Sequence, residues 1–158
     1  MNDPASPVGA FTDLVLEVFR LNGALIAAGD ALTRDLGLTS ARWQVLGAVA
    51  LAGRPLTVAG VARGMGLTRQ AVRRVVADLG AAGLVASAPN PDHRRADLVV
   101  LTPAGREAYA AASARQAAWA GRIGRECGPC DFAGTAALLR RLRAALERDE
   151  DAGVPEEP

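Results

Sequence analysis

The 158 residues suffice for one globular domain carrying an accessory lobe, and because half are apolar but only six aromatic, the core must be Ala, Val and Leu in closely packed helices. No run reaches the roughly 18 to 20 apolar residues of a membrane helix, and the opening Asn2-Asp3-Pro4 is not leader-like, so the expectation is a cytoplasmic protein with no membrane partner. The net charge of +1 hides a partition: residues 54–101 hold seven arginines against three aspartates, net +4, while the flanks net −3. Cationic surface confined to one segment is the footprint of a nucleic-acid-binding lobe.

Residues 1–10 contain two prolines and a glycine without periodicity and are expected to form a disordered arm. From Phe11 the residues Phe11, Leu14, Val15, Val18, Leu21, Leu25 and Ile26 recur at helical steps, predicting a helix to about Asp35 that tolerates Gly23. Thr39 or Ser40 caps a second helix through Trp43, Leu46 and Val49, which stops at Gly53-Arg54-Pro55. Thr57 starts a short third helix, with Val58, Val61, Ala62 and Met65 turned inward, ending at Gly64-Met65-Gly66.

Thr68 then caps a fourth helix. Its apolar residues Val72, Val75, Val76 and Leu79 share one face, and Arg69, Gln70, Arg73 and Arg74 fall on the other. Residues 84–88 and 96–101 read as two short strands joined by Pro89-Asn90-Pro91-Asp92, a hairpin whose tip presents His93, Arg94 and Arg95. Thr102 caps, and Pro103 opens, a long Ala-rich helix to about Arg125; Gly128-Pro129 break it, Asp131 caps a last helix, and residues 149–158 are an acidic tail expected to be disordered.

Two helices across a Gly-containing turn, followed by a basic hairpin, make a winged helix-turn-helix, in which the second helix enters the major groove of double-stranded DNA. Arg bonds guanine bidentately and Gln bonds adenine bidentately, so Arg69, Gln70 and Arg73 are the candidate base readers. Thr68, at the helix start, and Arg74, rotated to the flank, are candidates for phosphate. The plainer alternative, a solvated helix face, does not account for turn, helix and basic hairpin occurring in this order.

The segments Gly37-Leu38-Thr39-Ser40-Ala41-Arg42-Trp43-Gln44-Val45-Leu46, Met65-Gly66-Leu67-Thr68-Arg69-Gln70 and Asn90-Pro91-Asp92-His93-Arg94-Arg95, with Leu101-Thr102-Pro103-Ala104-Gly105 after the last, resemble the MarR family of bacterial regulators. The resemblance covers residues 11–148. It implies a mainly α fold with a small β-hairpin and a homodimer interlocked through the first, fifth and sixth helices. It divides the chain into a helical dimerisation region, residues 11–36 and 103–148, and a DNA-binding region, residues 37–102. It implies too that the wing tip reaches the minor groove and that a small-molecule effector binds at the junction of the lobes, near Arg42 and Trp43. Where many members place Asp directly before the paired arginines this chain has His93, with Asp92 one residue earlier as the expected brace.

Cys127-Gly128-Pro129-Cys130 matches the tetrapeptide of thioredoxin-like oxidoreductases, but a helix rather than a strand precedes it, which leaves a redox-sensing pair or two cysteines without a role. With a single histidine and no nucleophile motif or phosphate loop, neither a metal site, nor a cofactor, nor catalysis is expected. The leading reading is a sequence-specific DNA-binding regulator, with repression the expected mode. The alternatives are a thiol-based redox sensor on the same scaffold and a winged-helix module for protein interaction.

Overall fold

The computed structural model describes residues 6–93 and 95–152, without the side chains of the last three. The chain divides into two compact units, Met1–Ala118 and Trp119–Pro158.

In the first unit, helix α1 (Pro7–Thr33) begins four residues before the predicted Phe11. Ser6 Oγ accepts the Gly9 N–H at 3.0 Å and Pro7 takes the first turn, where its missing N–H costs nothing, so the expected disordered arm is helical from Pro7 onward. Its residues 1–5 lie outside the described set. A 3-10 turn (Arg34–Leu36) leads into α2 (Ser40–Leu51), which Thr39 caps by accepting the Arg42 N–H. Asp30 on α1 accepts the Ser40 N–H at 2.6 Å and fixes the angle between the two helices. At the same crossing, a Cβ on Gly29 would press on Ser40 Oγ.

Strand β1 (Leu56–Thr57) precedes α3 (Val58–Met65), capped by Thr57, and Gly66 at φ +63° turns the chain toward α4 (Arg69–Ala81). Strands β2 (Val85–Ala88) and β3 (Leu98–Leu101) follow, then α5 (Pro103–Cys127), along which the division between the units falls. The expected hairpin is present as β2 and β3, with Val85 opposite Leu101 and Ala88 opposite Leu98. Its outer partner was not predicted: β1 pairs antiparallel with β3, giving the order β1-β3-β2. Two residues are too few for alternation to register, so β1 is visible only through its pairing.

Buried Val45, Leu46 and Val49 of α2, Val61 and Ala62 of α3, and Val72 and Leu79 of α4 form the core, closed by Val85, Val99 and Ala112. Each fully buried Leu or Val here contributes about 1.5–3 kcal/mol relative to exposure. Thr102 joins sheet and helix: its Oγ1 donates to the Gly83 carbonyl at 2.7 Å and accepts the Gly105 N–H at 3.0 Å. Gly105 lies so close to β2 that a Cβ would overlap the Leu84 carbonyl oxygen.

In the second unit, Gly128 at φ +76° ends α5, and Asp131 Oδ1 accepts the Gly134 N–H to cap α6 (Phe132–Ala152). The helix thus continues past residue 149, where the acidic tail was expected to begin. The reason is local: neither proline nor glycine occurs between Asp149 and Ala152. Residues 153–158 of the expected tail lie outside the described set.

Candidate nucleic-acid interface

Helix α4 is held by one face and free on the other. Val72 and Leu79 are fully buried, with Val75 and Val76 packed beside them, while Thr68, Arg69, Gln70, Arg73 and Arg74 are all exposed. Thr68 Oγ1 accepts the Ala71 N–H at 3.1 Å, so the cap uses one lone pair of the hydroxyl and leaves its proton available. Among the described residues none of the arginines 69, 73 and 74 enters an ion pair. Three guanidinium groups and a carboxamide therefore face solvent from two turns of a rigid helix.

Asp78, the one acid on α4, is engaged elsewhere: Arg42 Nη2 reaches its Oδ2 at 3.7 Å and Arg42 Nη1 donates to the Gly37 carbonyl. The exposed pair contributes little to stability, but it keeps the carboxylate away from the cationic face. Arg42, expected beside an effector, is thus bound toward α4. Trp43 is half-buried and lines a cavity of about 350 Å³ with Gln44, Met65, Tyr109, Ser113 and Gln116, so the two residues expected at one pocket are separated. Among the described residues no ionised side chain lines that cavity.

The wing is organised by Asn90. Its Oδ1 accepts the Asp92 N–H at 3.1 Å and its Nδ2 donates to the Ala96 carbonyl at 2.9 Å, so one side chain spans the loop from both ends. Below it, Ser87 Oγ donates to Asp97 Oδ2 at 2.7 Å across the two strands. His93 and Arg95 are exposed at the tip, and Arg94 lies outside the described residues. Among the described residues no ion pair joins the expected brace Asp92 to Arg95. Asn90 closes the loop because its side chain both donates and accepts. The Asn-Pro-Asp turn signal could have suggested that role.

The cysteines belong to the second unit. Cys127 and Cys130 are both exposed, with their sulfurs 2.7 Å apart.

A helix-turn-helix with a three-stranded wing and an unpaired basic face on its second helix defines a winged-helix transcription regulator. A model of the MarR family matches residues 36–96. A Mycobacterium tuberculosis protein described only as uncharacterized is 40% identical over 136 residues, spanning 86% of this chain and 94% of its own. The chain belongs to the MarR family. Among solved structures, CouR from Rhodococcus jostii RHA1 bound to p-coumaroyl-CoA is 26% identical at a TM-score of 0.67, covering 91% of this chain and 96% of that one. The M. tuberculosis regulator MosR in complex with DNA shares the fold at a TM-score of 0.72 and 22% identity, covering 85% and 96%. The family and these neighbours are transcription regulators rather than enzymes, and no helix among the described residues is long and apolar enough to cross a membrane.

Proposed function

We propose that this protein is a homodimeric, sequence-specific DNA-binding repressor of the cytoplasm whose affinity for its operator is set by a small molecule. The observation that supports DNA binding best is the α4 face: Arg69, Gln70, Arg73 and Arg74 are exposed, and the arginines have no anionic partner among the described residues. In this reading α4 lies in the major groove, with residues 69, 70 and 73 at base edges and Thr68 and Arg74 at phosphates. The wing residues His93, Arg94 and Arg95 reach the neighbouring minor groove. A protein-interaction module that had abandoned DNA would have no use for so many unpaired cations on one helix.

Residues 37–102 form the DNA-binding region of this proposal, and residues 11–36 with 103–148 the dimerisation region. Phe11, Phe19, Leu21, Leu25 and Ile26 on α1 and Phe132, Leu138 and Leu146 on α6 are exposed in the single chain, and apolar rows of that extent call for a partner surface. For the effector, the cavity beside Trp43 offers Gln44, Ser113 and Gln116 as polar groups around apolar walls, which suits an uncharged or amphipathic aromatic molecule. CouR, a related fold, is bound to p-coumaroyl-CoA, a ligand with an aromatic acyl group.

Selection of binding sites from random duplex DNA tests the reading. The expected product is a pair of inverted half-sites about one helical turn apart. Recovery of no enriched sequence, with the protein folded, would overturn it.

A further inference from the structure

We propose that Cys127 and Cys130 form a reversible dithiol–disulfide site that adjusts self-association through the start of α6. The dimer in this statement is the one proposed above; the chemistry at the sulfurs does not depend on it. The two sulfurs lie 2.7 Å apart across Gly128 and Pro129, both residues are exposed, and a small oxidant meets no barrier of packed side chains. Gly128, at φ +76°, makes the turn that brings them together.

The two thiols are not equivalent. Cys130 Sγ donates to the Cys127 carbonyl at 3.3 Å, and its contact with Cys127 Sγ, ahead of burial and charge, pushes its pKa up. With the Cys130 proton held on the Cys127 carbonyl, Cys127 is assigned as the attacking sulfur and Cys130 as the resolving one.

The oxidant is a low-molecular-weight disulfide, RSSR. The Cys127 thiolate attacks one of its sulfurs, a Cys127 Sγ–SR bond forms, the S–S bond of RSSR breaks, and RS⁻ leaves to take up the proton that Cys127 lost. Cys130 then gives up its proton and attacks Cys127 Sγ. The intrachain bond forms and the second RS⁻ departs as RSH. Two protein thiols are oxidised by two electrons and one small disulfide is reduced to two thiols. In a reducing compartment the pair rests as thiols and closes only when the thiol pool is oxidised.

Helix α6 begins at Phe132, two residues beyond Cys130, and bears the exposed Phe132, Leu138 and Leu146. Closing the ring restrains the turn that aims this helix. A turn already fixed loses less conformational freedom on association, so the oxidised chain dimerises more tightly.

The test uses the full chain equilibrated with glutathione and glutathione disulfide, followed by thiol alkylation, intact mass measurement and sedimentation equilibrium. The expected product is one intrachain disulfide that dithiothreitol reverses. C130S should accumulate a glutathione adduct on Cys127, and C127S should react at least tenfold more slowly. The dimer dissociation constant should fall at least threefold on oxidation of the natural chain and stay constant in the doubly substituted C127S/C130S chain. Adducts on both sulfurs without ring closure, or cross-links between chains, overturn the site. A normal intrachain disulfide with an unchanged dissociation constant overturns its control of assembly. Monomers in both redox states, with the disulfide forming normally, overturn that control together with the dimer reading and leave the thiol chemistry standing.

Discussion

Arg115 on α5 grips Asp35 with both arms of its guanidinium, Nη2 donating to Oδ2 at 2.7 Å, while Nη1 also donates to the Leu32 carbonyl at 3.0 Å. Residues 80 positions apart thus close the end of α1 against α5. The hydrogen bonds from Arg115 are the main cause that holds the Asp35 carboxyl below the usual aspartate range.

A depressed folded value means that the pair stabilises the fold above the ordinary aspartate pKa and that this contribution is lost as pH falls through the lower, folded one. Arg115→Gln should therefore move the Asp35 titration midpoint upward, as read by carboxyl NMR. An unmoved midpoint would show that the guanidinium is not the cause. Both groups are solvent-accessible, so the shift, rather than a large change in stability, is the signature.

Gly105→Ala should destabilise the chain by at least about 2 kcal/mol, because the new methyl group is driven into the Leu84 carbonyl and neither backbone can retreat without disturbing the Thr102 cap. Thr102→Val should cost about 1 kcal/mol through the lost cap. Denaturant titration of both variants checks the order. Equal losses would mean that the close approach of backbones is not the tighter constraint.

On α4, Arg69→Ala, Gln70→Ala and Arg73→Ala should each cost about 1–3 kcal/mol in operator binding and relax sequence preference at one position. Arg74→Ala should weaken binding to all sequences alike and reduce the slope of affinity against salt by about one. Binding measured on a set of single-base variants of the selected site separates the two behaviours. A uniform loss in one of the first three would reassign that residue to the phosphates.

At the wing, Arg95→Ala should lower operator affinity at least tenfold, about 1.4 kcal/mol, and flatten the salt dependence. Asn90→Ala leaves every cation in place but removes both hydrogen bonds that close the loop, so it should weaken binding by a smaller factor through loss of preorganisation. Unchanged affinity in Arg95→Ala at all salt concentrations would leave α4 to account for binding alone.

Local chemistry made much of this architecture legible in the sequence. Thr39, Thr57, Thr68, Thr102 and Asp131 each announce a helix start through a side-chain acceptor three residues before the N–H that it receives, and all five caps are present. The opposition of Val72 and Leu79 to Arg69 and Arg73 follows from 3.6-residue periodicity alone, so the candidate DNA face was readable before any fold was known. Relationships that depend on distant parts of the chain were not. β1 is a strand only because β3 lies beside it; Arg42 turns to Asp78; Asn90 ties the wing loop to Ala96; and Arg115 finds Asp35 across 80 residues. A side chain's nearest opposite charge or open carbonyl is decided by how the helices cross, and sequence spacing carries no measure of that crossing.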